Sequence, residues 1–436
     1  MKKHFEVAAV LLFVGFAVLG CSVTEEKITL WKSTQNGPGK IADVIRDQSQ
    51  EISLRSAATV ALIDLKEHAL INDVFRGLPP DDADEVILAS MPALTRQIKG
   101  DSAEDSGLSS TQITAKDGMY LLFAFAGQKS RKPVEDELIR WCTEGDFRAR
   151  EQAGFNIRVI IEKIGVPVYR KMIKNLTIDK RNLMQIARIL RASENREILN
   201  DASRQLAGEL QRHLDKITDG HLTAAAIIGG KPVADMLVAV VAQTSLPIQL
   251  RNYALLAYST ALEKKNVSSN DKQVARLVSA AEDTARPTDH REQIYLTLAQ
   301  TVSPATVASF KRLLKDQTFF WRMVGVRCLL RQNGEAHLDI ILENREMVTD
   351  TQETEELTAL IARFPNLKSA IVAKLKSNDR FSMGLAIGVL ALLGTQDDIP
   401  SLKPLTRSRE RLPAEFPDKT VGAAASAAIL AIEKKG

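Results

Sequence analysis

Phe381-Ser-Met-Gly-Leu-Ala-Ile-Gly-Val-Leu-Ala-Leu-Leu-Gly-Thr-Gln-Asp-Asp-Ile-Pro-Ser-Leu-Lys-Pro-Leu405 is the stretch on which the fold turns. Counting from Met383, the small and apolar residues at i, i+3, i+6, i+7 and i+10 fall on one side of an α-helix. Small residues on that side let a second helix approach closely, and the larger ones beside them fill the gap. Asp379 stands where a helix N-cap belongs. The segment closes on Leu393-Gly394, Asp397 and Asp398 follow, and a second helix opens at Ile399-Pro400. One helix, a short turn and another helix make a hairpin.

The same frame recurs along the chain. Its form is an apolar or small residue, Arg, a small residue three on, then a small and an apolar residue, and a further apolar one. Leu54-Arg55…Ala58…Ala61-Leu62…Leu65 fits it fully, and Ala149-Arg150…Ala153…Asn156-Ile157…Ile160 nearly so. Leu250-Arg251…Ala254…Ala257-Tyr258…Ala261 and Trp321-Arg322…Gly325…Cys328-Leu329 follow, and Val421-Gly422…Ala425…Ala428-Ile429…Ile432 ends the series. Weaker copies stand at Arg181, Leu222, Arg291 and Glu356. From Arg150 to Gly422 the reference positions recur on average every 34 residues. That leaves room for two helices of about twelve residues and two short turns. Asp146, Asp379 and Asp418 each precede a reference position by one helical turn, as N-caps would.

On these residues the chain resembles the HEAT repeats, particularly their shorter bacterial variants. Ile227-Ile-Gly-Gly-Lys-Pro-Val-Ala-Asp-Met-Leu237 has the same shape as the quoted stretch. The resemblance implies an all-α fold, an α-solenoid of stacked helical hairpins, over residues 140–436, with divergent helical repeats over 38–139. It also implies that Arg55, Arg150, Arg251 and Arg322 bond across to the adjoining repeat and are structural. The Trp, Leu-Gly and Tyr pattern of the tetratricopeptide repeat is missing in register, and so is the Thr-Pro-Leu-His of ankyrin. Gly77 to Glu85 reads as a turn followed by an acidic helix start. Residues 100–110 read as a mobile loop, and Arg407 to Lys419 as a second long connection.

The N-terminus carries an address. Lys2 and Lys3 precede an uncharged apolar run from Val7 to Leu19, and Val18-Leu19-Gly20-Cys21 follows. A run of that length makes a helix of roughly 20 Å, too short for a ~30 Å hydrocarbon core, so it reads as a signal segment. The tetrad resembles the bacterial lipobox. That resemblance implies a signal peptide over 1–20, a diacylglycerylated and N-acylated Cys21, and a short stalk over 21–37. The expected anchor is a membrane tether through the N-terminal lipid, and the expected place is the cell envelope. Ser22 favours the outer membrane facing the periplasm over the inner membrane.

The composition excludes more than it assigns. Aromatics are 5% of the chain and charged residues 26%, with a formal net charge of +4, so opposite charges nearly cancel. Neither nucleic acid nor a strongly acidic partner is implied globally. Gly-Gly-Lys at 229–231 and Gly-Pro-Gly-Lys at 37–40 lack the phosphate-loop spacing and read as turns between helices. No nucleophile elbow, His-Glu-x-x-His or Cys-x-x-Cys occurs, so no catalytic residue, metal or cofactor is expected. His213, Asp215, Asp219 and His221 have ligand-like spacing, but the segment reads as a helix end, a turn and a cap. His68, His290 and His337 stand alone and read as surface residues. Cys142 and Cys328 read as buried free thiols. Leu183, Ile186, Ala187 and Leu190 share one helical side, and Arg181, Gln185 and Arg188 fall on the other. Cations are dense from Tyr169 to Arg196; of these, Lys171, Lys174, Arg188 and Arg191 lie outside the repeat's Arg position and mark a candidate patch for an anionic partner.

Three functions remain open on the sequence. The first is a non-catalytic, membrane-tethered scaffold or adaptor that binds a protein partner, with no nucleic acid. The second is an enzyme or enzyme subunit of the lyase-like HEAT type, and the third a purely structural envelope component.

Overall fold

The computed structural model describes residues 23–100, 108–144, 150–151, 154–179, 182–344 and 348–435. Cys21, Asp146, Arg181 and most of the loop expected over 100–110 lie outside the described residues. The chain divides into two compact units, residues 1–186 and 187–436. Among the described residues both are helical, and the only β-type pairing is an isolated bridge between Arg411 and Thr420.

The first unit contains α1 (Glu25–Trp31), α2 (Gly37–Arg46), α3 (Ile52–Asp64), α4 (His68–Gly77), α5 (Pro80–Lys99) and α6 (Ser110–Leu122). It continues with α7 (Arg131–Thr143), α8 (Ile157–Ile164) and α9 (Val166–Lys174). Helix α3, the first full copy of the frame, is its centre and packs against α1, α2, α5 and α6. Its Ala58 and Leu62 are fully buried. The expected boundary at 139/140 falls inside α7. Two expectations are corrected here. Part of the 21–37 segment is helical, because the Thr24 hydroxyl accepts from the Lys27 N–H and Glu25 and Glu26 fill the first turn. Gly37-Pro-Gly-Lys40 is no turn but the first turn of α2, with Pro38 at a position where no intrahelical N–H is needed.

The boundary between the units falls within α10 (Leu183–Ala192). Beyond it, the second unit is a two-layer stack of hairpins. One layer is α12 (Asp219–Ile228), α14 (Ile248–Glu263), α16 (Thr288–Leu298), the first half of α18 (Phe319–Glu343), α19 (Thr351–Ala362), α21 (Arg380–Leu393) and α23 (Val421–Glu433). The other begins with α11 (Arg196–Arg212), α13 (Lys231–Ala242), α15 (Asp271–Glu282) and α17 (Pro304–Leu313). It continues through the second half of α18, α20 (Lys368–Lys374) and α22 (Ile399–Leu402). Helix α18 changes layer at Asn333, whose φ of −161° and ψ of 82° break the helix. All the reference positions from Leu222 to Gly422 sit in the first layer, which is why the frame is legible there.

The turns follow side-chain chemistry. Asp379 caps α21 by accepting from the Ser382 N–H at 2.9 Å. Capping boxes open α6, α15 and α17. Asp418, expected to cap the last helix, does not; the Thr420 hydroxyl accepts from the Ala423 N–H at 3.2 Å instead. Gly229 and Gly230 have φ of +70° and +83°, and a Cβ on Gly229 would lie 2.3 Å from the Asn266 carbonyl oxygen. The Gly-Gly-Lys motif is therefore a turn that admits a neighbouring backbone.

Candidate functional site

The repeat arginines act as rungs that tie their segments to neighbouring helices. Arg55 is 3% exposed. Its Nε donates to the Ile45 carbonyl at 2.8 Å, and its two Nη atoms donate to the Asp82 carboxylate at 2.6 Å each. Asp82 is the third residue of α5. Arg322 repeats the pattern on Glu353, the third residue of α19, with both carboxylate oxygens at 3.1 Å. Backward, it donates to the carbonyls of Asp316 and Gln317. Arg291 donates to the Ala281 carbonyl at 2.7 Å and lies 4.4 Å from the ring centre of Trp321, the third residue of α18. Arg150 donates to the Trp141 carbonyl and stacks over that indole at 4.5 Å. Each of these rungs reaches a main-chain carbonyl behind it, and Arg55, Arg291 and Arg322 also reach the third residue of the next helix.

Arg251 departs from this pattern at both ends. The carbonyl ten residues back, Val241, is taken by Arg286, whose Nη atoms donate to Val241 at 2.8 Å and Ala242 at 2.6 Å. The third residue of the next helix, α16, is His290. Arg251 is 8% exposed, and its buried Nε has no hydrogen-bond partner. Burial, and then the charge of Arg286, hold its guanidinium below the usual arginine range. His290 is 1% exposed, which corrects the surface reading. Its Nδ1 pairs with Asn252 Oδ1 at 2.5 Å, while its Nε2 is buried without a partner. Burial, and then Arg251 and Arg286, push the imidazole down to about 4 against the pull of Asp289. It is therefore neutral at pH 7.

A cleft of about 520 Å³ opens over α19, α21 and α23. Its floor is made of small side chains, among them Gly384, Gly388, Ala391, Ala424 and Ala428. The connection 408–420 forms one wall. Phe416 folds back onto α21, edge-on to Phe381 with ring centres 5.5 Å apart. It can do so because position 384 lacks a side chain: a Cβ there would lie 2.8 Å from the Phe416 ring. The charged residues lining the cleft, Glu355 and Asp418, are both acidic.

The residues singled out in the sequence are not gathered at either place. Lys171 and Lys174 are exposed on the last turns of α9 in the first unit. Arg188 is exposed and Arg191 half-buried on α10, on the second unit's side of the boundary. Leu183, Ile186, Ala187 and Leu190 are buried opposite them, as their spacing predicts. His221 Nδ1 accepts from the Thr218 N–H at 3.0 Å and His213 faces Glu209. No metal-like cluster occurs among the described residues. Cys142 and Cys328 are buried and free, and burial pushes both thiols up to about 12.

Sequence reasoning missed Lys116. It is fully buried, pairs with Asp117, donates to the Phe155 carbonyl at 2.5 Å and lies 5.5 Å from the Trp141 ring centre. Burial holds its ammonium below the usual lysine range, although Asp117 pulls the other way. A lysine in a helical run carries no sign of such burial in the sequence.

No family model matches the chain, and no curated protein matches it. Among solved structures it is similar to the karyopherin Kap121p bound to the SUMO protease Ulp1p, with a TM-score of 0.40 and 14% identity over 92% of this chain and 46% of that one. Kap121p bound to Nup53p gives a TM-score of 0.42 at 15% identity, with the same coverage of 92% and 46%. An engineered protein gives 0.26 at 15% identity over 94% of this chain and 99% of that chain. The chain thus spans about half the length of the karyopherins it matches. The fold rests on the chain's own helices: an all-α repeat of stacked hairpins.

Proposed function

We propose that this chain is a membrane-tethered helical-repeat scaffold of the bacterial envelope that docks a protein partner. The observation that carries the docking is the cleft over α19, α21 and α23. It is open, its floor is apolar and small, and the charges lining it are Glu355 and Asp418. That chemistry fits an apolar segment of a partner protein with a lysine or arginine beside it. The tether is the lipid on Cys21, read from the lipobox-like tetrad; several acyl chains at about 0.8 kcal/mol per buried methylene hold a protein durably. The outer membrane, facing the periplasm, is the proposed address. Lys171 and Lys174 on the first unit, and Arg188 and Arg191 on the second, belong to the same reading, each pair as a contact for an anionic partner.

The test uses the full chain in its own cells. Cys21→Ala is expected to release the protein from membranes and abolish labelling by a clickable palmitate analogue. A photo-cross-linking residue at position 391 is expected to trap one stoichiometric protein, and Gly388→Trp, which fills the cleft, to abolish the trapping. Unchanged membrane attachment of Cys21→Ala removes the tether. Cross-linking that is indifferent to Gly388→Trp removes the cleft as the docking site and leaves the purely structural reading. A small molecule recovered from the cleft would favour the lyase-like alternative.

A further inference from the structure

We propose that Arg251 and His290 form a carboxylate-binding site, in which a ligand's carboxylate gives Arg251 the partner that Asp82 and Glu353 give the repeat arginine at the equivalent joints. The case begins with the register. At three joints, those of Arg55, Arg291 and Arg322, the repeat arginine faces the third residue of a following helix, and at two of them that residue is a carboxylate bonded through both oxygens. At the α14–α16 joint the same position holds His290. The guanidinium has also lost its backward carbonyl to Arg286. The atoms a carboxylate would meet in the manner of Asp82 are the two Nη of Arg251. His290 Nε2 is buried without a partner at this joint, and so is Arg251 Nε, the atom that at Arg55 and Arg291 donates backward to a carbonyl. Buried groups of this kind call for a ligand, an ion or a water.

The chemistry selects among these. A carboxylate would accept from Arg251 as Asp82 accepts from Arg55. It would also meet the start of an 11-residue helix, where main-chain N–H groups favour an anion. For His290 to donate to it, Nε2 must gain a proton while Nδ1–H continues to donate to Asn252 Oδ1. The ligand therefore binds together with one proton taken from solvent. The charged groups around the imidazole are Arg251 on α14, Arg286 in the connection before α16 and Asp289 on α16 itself, with Asp283 paired to Arg286 at 3.2 Å. Before binding, the two arginines oppose that proton; a bound carboxylate neutralises their effect. A cleft of about 240 Å³ between α14 and α16, lined by Asn252, Leu256, Asp289, His290 and Gln293 among others, opens onto the His290 side of the joint. Arg251 is not among its lining residues, so a ligand entering there meets His290 first. That volume accommodates a small carboxylic acid or one acidic side chain. This site lies apart from the proposed docking cleft and does not depend on it.

Sodium acetate, compared with sodium chloride at equal ionic strength, is the probe. Acetate is expected to raise the melting temperature of the full chain. Its apparent affinity should fall about tenfold per pH unit above about pH 6, because one proton enters with it. In protein labelled on histidine rings, the His290 signal is expected to move toward the imidazolium position when acetate is added. Arg251→Met should abolish both responses. His290→Glu supplies its own carboxylate, so it should melt higher in chloride and ignore acetate. If a variant fails to fold, the pH dependence and the ring signal of the unsubstituted protein still decide. Equal melting in acetate and chloride at about pH 6, with an unmoved His290 signal, overturns the proposal in favour of a buried water. An acetate response kept in full by Arg251→Met or His290→Glu places the effect elsewhere and overturns it too.

Discussion

Replacing the arginine of an intact rung should cost far more than replacing Arg251, and the difference can be worked from the bonds. Arg55→Met removes three hydrogen bonds, of 2.8, 2.6 and 2.6 Å, from a site that is almost closed to solvent. It leaves the Asp82 carboxylate, 20% exposed, without its cation. Removing one partner of a buried ion pair costs about 3–5 kcal/mol. Asp82 keeps some water and the favourable field of the α5 N-terminus, so the lower end, ~3 kcal/mol, is expected. Arg322→Met removes a rung of the same kind and should cost about as much. Arg251→Met strips no such pair. It removes a desolvated charge standing beside Arg286, and methionine fills much of the volume, so a change within ~1 kcal/mol of zero is expected. Urea titration followed by tryptophan emission suits the comparison, since Trp31 and Trp141 report on the first unit and Trp321 on the second. The units need not unfold together, so each variant is read through the reporter in its own unit. An Asp82→Asn partner completes a double-mutant cycle, with a coupling of about 1–3 kcal/mol expected for Arg55 and Asp82. If Arg251→Met proves as damaging as Arg55→Met, the reasoning that ranks arginines by their rungs is wrong.

Two further outcomes follow from particular contacts. Asp84 accepts from the Ser130 hydroxyl and from the N–H groups of Gly127, Lys129 and Ser130. Burial raises its carboxyl, but these bonds outweigh it and hold the group below the usual aspartate range. The unfolded chain therefore binds its proton first. The stabilisation should be complete above about pH 4 and lost as pH falls through the folded value, and Asp84→Asn should flatten that part of the acid-unfolding curve of the first unit. Gly422→Ala would bring a Cβ to 2.5 Å from the Ser408 carbonyl oxygen and 2.7 Å from that of Thr406. Backbone must move to admit it, so a loss of about 1–3 kcal/mol and faster amide exchange over 421–433 are expected.

The hairpin repeat was legible because its reference positions lie in one layer and present small residues to their neighbours at helical spacing. The arginines were legible as structural for the same reason. What each arginine touches was not. The forward partner is fixed by its place in the next helix, the third residue, and not by a constant interval, because the second-layer helix and its two turns vary in length. Asp82 lies 27 residues beyond Arg55 and Glu353 lies 31 beyond Arg322, whereas His290 lies 39 beyond Arg251. A histidine near a helix start, flanked by Asp289 and Arg291, has the look of a surface residue, and only the stack turns it inward. The cleft over α19, α21 and α23 was hidden for another reason. Gly384 and Gly388 belong to the small-residue pattern that marks helix packing, and sequence alone does not tell which small residues meet a helix and which are left open.

The two ends of a rung constrain the sequence differently. The backward end is a main-chain carbonyl, which any residue supplies, so the frame can hold its Arg through wide variation behind it. The forward end is a side chain, and the chain uses four kinds there: Asp82, Glu353, Trp321 and His290. Carboxylates give a charged bond, the indole gives a stacked cation, and the imidazole gives neither. Stacking therefore survives at these four joints while the polarity of the joint changes. At Arg251 both ends have changed together. Arg286 satisfies the end of α13 through Val241 and Ala242 and pairs with Asp283, so the hairpin there is closed without Arg251. Burying a guanidinium costs free energy, and at this joint no bond of its Nε within the stack offsets that cost. Among Arg55, Arg291, Arg322 and Arg251, the last is thus the rung without a bonded partner at either end, and the proposed carboxylate would supply the forward one, at its Nη atoms.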